Sequence, residues 1–316
     1  MRRIISIICV LLLLLSFAAC GPDEPVTQEQ NPPVADVPEN TTETGGEAAL
    51  EETEPTEETE PTKESVPFEE IVAVDNEYCS IKITEIDSTS LWGYTVKALL
   101  ENKSSDKTFM FSVDSAAING VMTDPLFASD VAAGKKSNEE IIFATEALED
   151  NGVGEFTDLE LCFRVYDNDD WTADPVAEVT THIYPYGEEN AETFVREAQP
   201  KDTVLVDNDY ATVILTGCGK DEIFGYNAYL YIVNKADTSI MVSVDEASIN
   251  GFMIDPFYAD VVDVGKCAFS SITWFDTDLE DNGITEVENI EFTLRVYDNE
   301  DWLSDDFYND IVTITP

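Results

Sequence analysis

The sequence predicts an all-β fold: two tandem antiparallel β-sandwiches behind a disordered N-terminal stalk. Three observations predict it. One stretch occurs twice, NGVGEFTDLELCFRVYDNDDW at 151–171 and NGITEVENIEFTLRVYDNEDW at 282–302, with 11 of 21 positions identical. Inside it, apolar residues recur with period two. Leu159, Leu161, Phe163 and Val165 alternate with Glu160, Cys162, Arg164 and Tyr166, and Ile290, Phe292, Leu294 and Val296 with Glu291, Thr293, Arg295 and Tyr297. That is a strand with one buried face. Elsewhere, short alternating runs are separated by turn residues, with no long helical period.

Taken in order, residues 1–20 read MRRIISIICVLLLLLSFAAC. Arg2 and Arg3 form a positive start, Ile4 to Leu15 an apolar run, and small residues follow, which is the signal-peptide pattern. The run is short for a membrane-spanning helix. Ala18-Ala19-Cys20 resembles the lipobox of bacterial lipoproteins, although Phe17 stands where Leu is usual. The resemblance implies that Cys20 is lipidated and becomes the first mature residue. The expected address is therefore the outer face of the cell membrane, held by lipid chains alone.

Residues 21–67 are rich in Glu, Thr and Pro, as in EETEPTEETEPTKE at 51–64. They have no hydrophobic period and read as a self-repelling stalk, spanning about 35–40 Å as a flexible coil. Over the whole chain of 316 residues, 16 Lys and Arg face 66 Asp and Glu, a net charge of −50. Phosphates and anionic lipid headgroups would be repelled, so no nucleic-acid partner is expected and no direct adsorption on the bilayer. Cationic partners and loosely held divalent metals remain compatible. Most of the charge is read as keeping an exposed protein soluble. With 43% hydrophobic residues, packed domains are still affordable.

Residues 68–186 form repeat 1, 187–201 a polar linker with room for one helical turn, and 202–316 repeat 2. Anchors match throughout: Asn76 with Asn208, Gly93-Tyr94 with Gly225-Tyr226, Asn102-Lys103 with Asn234-Lys235, Asn119-Gly120 with Asn250-Gly251, Gly134-Lys135 with Gly265-Lys266. Each Asn-Gly between apolar runs predicts a tight hairpin. LEDNG at 148–152 and 279–283 predicts a short helical turn closed by a left-handed residue. Strands are expected near 81–84, 94–98, 139–144, 159–166 and 177–184, seven or eight per repeat.

The order in each repeat is a strand ending in Asn-Lys, a hairpin, a Gly-Lys loop before Ile141-Ile142-Phe143, a helical corner and a Leu-Arg-Val-Tyr type strand. It resembles the telokin-like group of immunoglobulin-like domains found in uncharacterised lipoproteins of Gram-positive bacteria. The resemblance implies a fold and a cell-surface address, and no catalytic residue.

The candidate sites are few. Asp167, Asp169 and Asp170, and Asp298, Glu300 and Asp301, offer hard oxygen ligands after each doubled strand, so Ca²⁺ is the one possible cofactor. Asp124 and Asp255 are further donors. Counted as a calcium loop from Asp167, however, position six is Thr172 rather than Gly, and position twelve is Glu178 in one copy but Asn309 in the other. A plain acidic turn is the preferred reading. Trp92, Phe224, Trp171 and Trp302 either stack on a glycan or grip a protein partner, or, as rings more often do, close the ends of a core. Arg164 and Arg295 are expected to pair with Glu160 and Glu291 on the same strand face. Cys79, Cys162, Cys218 and Cys267 have no cysteine counterparts in the other copy and read as free thiols. The single histidine, His182, faces Thr313 in the second copy, and no nucleophile motif accompanies it. The function expected is a non-enzymatic binding or interaction module at the cell surface, with a calcium- and carbohydrate-binding module as alternative and an extracellular hydrolase as a distant third.

Overall fold

The computed structural model describes residues 68–316 except 91, 92, 222–224 and 302. The signal segment with Cys20, the stalk, Trp92, Phe224 and Trp302 lie outside the described residues. The described chain is all-β, built of antiparallel sheets, and both repeats fall within one compact unit.

Repeat 1 contributes β1 (Ile71–Asp75), β2 (Cys79–Asp87), β3 (Tyr94–Asn102), β4 (Phe109–Ile118), β5 (Val121–Thr123), β6 (Ala128–Val131), β7 (Lys136–Phe143), α1 (Glu146–Asp150), β8 (Leu159–Asp167) and β9 (Ala177–Ile183). Repeat 2 follows the same order: β10 (Thr203–Asp207), β11 (Ala211–Asp221), β12 (Gly225–Asn234), β13 (Ile240–Ile249), β14 (Phe252–Met253), β15 (Ala259–Val262), β16 (Cys267–Phe275), α2 (Asp276–Asp281), β17 (Ile290–Asp298) and β18 (Tyr308–Ile314). That is nine described strands per repeat, because β5 and β6, and their counterparts, are too short to leave a hydrophobic period.

In repeat 1 the order β1-β2-β3-β7 makes one sheet, and β5-β4-β8-β9 with β6 beside β4 makes the other. Repeat 2 repeats this as β10-β11-β12-β16 and β14-β13-β17-β18, with β15 beside β13. Period-two patterning drives the packing. On β8 and β17 alternate residues are buried, and these meet inward residues of the facing sheet, such as Ile81, Val96 and Ile141, or Val213, Leu230 and Ile272. Register shifts recur at matching places, between Val72 and Val74 or Val204 and Val206, and between Ile83 and Glu85 or Leu215 and Gly217. Such bulges bend a strand and raise its twist.

The turn chemistry follows the sequence. Asn119 and Gly120 have φ of 51° and 82°, and Asn250 and Gly251 have 51° and 85°, the left-handed pair of a two-residue hairpin. Gly152 and Gly283 close α1 and α2 with φ of 82° and 69°. The linker contains one 3-10 turn, Glu188–Asn190, and is largely exposed beyond it, with Phe194 and Arg196 partly buried. Phe194 N donates to Asn119 O at 2.8 Å and its ring meets Phe269 of repeat 2 edge-on at 5.8 Å.

The repeats are joined through their sheets. Val121 of β5 pairs in parallel with Cys267 of β16, and Cys267 N donates to Gly120 O at 3.0 Å. This bridge merges one sheet from each repeat into a single larger one.

Candidate functional site

The polar residues that the repeats share serve the scaffold. Asn76 Oδ1 accepts from the backbone N of Tyr78 (2.8 Å) and Cys79 (2.9 Å), and its Nδ2 donates to Val176 O at 2.9 Å. Asn208 repeats this with Tyr210, Ala211 and Phe307. The buried Asn102 side chain donates to Lys107 O (2.8 Å) and Val131 O (2.7 Å), as Asn234 does to Thr238 O and Val262 O. Asn119 Oδ1 collects Thr157 N, Thr157 Oγ1 and Asp158 N; Asn250 Oδ1 collects Glu288 N and Asn289 N. Short amide side chains satisfy loop donors that would otherwise be stranded away from water.

The acidic corners are turns held by their own leading carboxylate. Asp167 Oδ1 accepts from Asp169 N at 3.1 Å, and Lys107 Nζ donates to Asp167 Oδ2 at 2.7 Å. Asp298 Oδ1 accepts from Glu300 N (2.8 Å), Asp301 N (3.1 Å) and Thr238 Oγ1 (3.0 Å). Lys107 holds Asp167 below the ordinary carboxylate range, and the Glu300 and Asp301 amides do so for Asp298. Asp170 Oδ1 accepts from Thr172 Oγ1 at 2.7 Å. None of the corner hydrogen bonds among the described residues involves Asp124 or Asp255, and no group of three or more His, Cys, Asp or Glu there is placed to hold a metal ion.

The aromatics divide. Tyr94 packs on Phe156 at 5.1 Å and Phe127 against the core of repeat 1; Tyr226 and Tyr258 pack against that of repeat 2. Trp171 does not close a core: it is 48% exposed, because the corner carries it past the end of β8.

Arg295 corrects its expected pairing. Its Nε and Nη2 donate to the two oxygens of Asp306, both at 2.9 Å, and Nη1 to Asp245 at 3.3 Å; Glu291 is not its partner. Four residues along a strand span about 13 Å, beyond the reach of an ion pair, whereas Asp245 lies across the ladder on β13. Arg164 has Pro175 at the position of Asp306 and lies over the Tyr166 ring at 4.6 Å. The four described cysteines are unbonded, and burial raises every one of their thiols, Cys79 to about 11. They are protonated at neutral pH and poor nucleophiles. His182 Nδ1 sits 2.8 Å from Asp158 Oδ1, beside Glu160, which pairs with Lys266 of repeat 2.

Sequence reasoning missed the joint between repeats. Besides the β5–β16 bridge it uses the Lys266–Glu160 pair, the Phe194 ring, and Arg196, which lies over Tyr231 at 5.5 Å and clasps both oxygens of Asp202 at 2.7 and 2.8 Å. The clasp lowers the Asp202 pKa to about 2, with Arg196 as the first cause and the Gln199 amide as the second. An arginine and a phenylalanine inside a polar linker, in an arginine-poor chain, were the available signal.

Repeat 2 presents four large apolar side chains to solvent. Phe252 and Met253 on β14 are 48% and 67% exposed, and Phe257 and Phe275, whose rings lie 6.3 Å apart, are 67% and 39% exposed.

No family model matches the chain, and no curated protein matches it. Among solved structures it is similar to the YadV chaperone, with 8% identity over 70% of this chain and 92% of that one and a TM-score of 0.22. It is also similar to a protein of unknown function from Porphyromonas gingivalis W83, with 12% identity over 71% and 91% and a TM-score of 0.20. Neither likeness carries a property over to this chain.

Proposed function

We propose that the protein is a lipid-anchored, non-enzymatic binding module on the outer cell surface. In this reading Cys20 carries the lipid, residues 21–67 hold the folded part off the bilayer, and each repeat is an immunoglobulin-like sandwich. The observation that supports binding is the exposed apolar surface of repeat 2 at Phe252, Met253, Phe257 and Phe275. Exposed large apolar side chains of this kind, here the adjacent Phe252 and Met253 and the neighbouring rings of Phe257 and Phe275, mark interaction sites in soluble domains. The engagement of the recurrent Asn residues and of the leading Asp of each corner in turns and loops supports it from the other side: the copies share scaffold, and they differ on their surfaces.

The test has two arms. Cys20→Ser should release the protein from membranes into the medium; retention of that variant in the membrane overturns the anchor. A photo-crosslinking residue at Phe257 should give a discrete adduct on intact cells, and an adduct-free protein overturns binding at this surface.

The calcium- and carbohydrate-binding reading is favoured by one observation, the exposure of the Trp171 ring beside the acidic corner. It requires that Trp171→Ala lose retention on an immobilised polysaccharide, and that the melting temperature rise with calcium and fall back with chelator. An unchanged melting temperature at saturating calcium removes the metal from the reading.

A further inference from the structure

The duplication supplies two copies of the hairpin, sheet-edge and ion-pair parts of the joint, and the chain uses one of each; the linker residues Phe194 and Arg196 occur once. The inserting half in repeat 1 is the Asn119-Gly120 hairpin tip with β5 and the carboxylate of Glu160; the receiving half in repeat 2 is the edge of β16 with Lys266. Repeat 2 carries the inserting half again. Its Asn250-Gly251 tip has the same left-handed pair, β14 pairs with β13 as β5 pairs with β4, and Glu291 stands where Glu160 does. Repeat 1 carries the receiving half again, because β7 ends its sheet as β16 would without β5, and Lys135 stands where Lys266 does. Lys135 and Glu291 are both exposed, and neither has an ion-pair partner among the described residues.

We infer that the unused halves engage each other between molecules, β14 of one copy docking on β7 of a second copy of this chain, with Glu291 facing Lys135. The inference rests on the proposed function in taking the hairpin end of repeat 2 as an interaction surface. Its occupant is named by continuity with the internal joint and by the matched charges. The contact is heterologous, so it propagates head to tail rather than closing as a symmetric dimer.

It is also weaker than the internal joint. The face around β16 offers Ile214, Tyr231, Val233 and Phe269, whereas the matching positions around β7 are Lys82, Leu99, Glu101 and Asn138. Aromatic packing is therefore lost and polar contacts replace it. Two chains of net charge −50 also repel at long range. At physiological salt that repulsion is screened beyond about 8 Å, while a docked ion pair is screened less.

The experiment is sedimentation velocity on the full chain in nonionic detergent at physiological salt, over a concentration series reaching millimolar. A ladder of species that grows with concentration is expected. Glu291→Lys and Lys135→Glu should each weaken association by about tenfold or more, and the double variant should restore it. Thermal melts of each variant establish that the fold is kept. A chain that stays monomeric across the series overturns the inference, as does association that the charge reversals leave unchanged. A monomeric chain that still gives the Phe257 adduct on cells leaves the surface-binding reading standing.

Discussion

At the residue scale, the glycines of the Gly-Tyr anchors show how a recurrent dipeptide acquires its reason. Gly225 has φ of 129°, and a Cβ built there would lie 2.2 Å from Trp274 O; Gly93 has φ of 113° and would meet Phe143 O at 2.2 Å. Neither contact is with a flexible side chain, so the backbone itself must move. Gly225→Ala is expected to cost at least ~3 kcal/mol, through positive φ and the clash together. It should be read as a lower urea midpoint with an unchanged slope. A midpoint within error of wild type would mean that β12 and β16 can separate at no cost. The anchors themselves were legible in the sequence. Their partners were not, because the contacts of Asn76 with Val176 and Asn208 with Phe307 cross about a hundred residues of chain.

At the element scale, β8 and β17 were read correctly from period two, and their facing residues are buried as that period requires. The arginines on their outer faces were not, since the period fixes a face and leaves the cross-strand neighbour open. Arg295 bridges Asp245 of β13 and Asp306 before β18, and these contacts raise its pKa and lower that of Asp306. Repeat 1 has Pro175 in place of Asp306, so its equivalent clamp is missing that carboxylate. Arg295→Ala should therefore destabilise by about 1–2 kcal/mol, after allowance for partial solvent screening. Arg164→Ala should cost less than half as much. Equal losses in parallel denaturation curves would show that Asp306 adds nothing.

At the scale of the whole molecule, the linker behaves as part of the joint. Arg196 and Asp202 are both largely buried, and the carboxyl is held at about 2 against an ordinary value of 3.8. A carboxylate with a lowered folded pKa adds stability that is fully present above about 4. That stability is lost as pH falls through about 2. The wild type should accordingly melt above Asp202→Asn at pH 5, and the gap should close between pH 4 and pH 2. A gap that persists unchanged at pH 2 would assign the loss to packing instead of charge. The sequence hid this joint because its central bond runs from one backbone to another, Cys267 N to Gly120 O, and backbone atoms leave no residue signature.

The unequal faces around β7 and β16 give the chain a direction. With Ile214, Tyr231, Val233 and Phe269 on the second unit only, the halves are not interchangeable modules. Transposing them would leave an aromatic face bare at one terminus and press Lys82, Glu101 and Asn138 into the seam. The order of the two halves along the chain therefore decides whether the seam between them is apolar or polar.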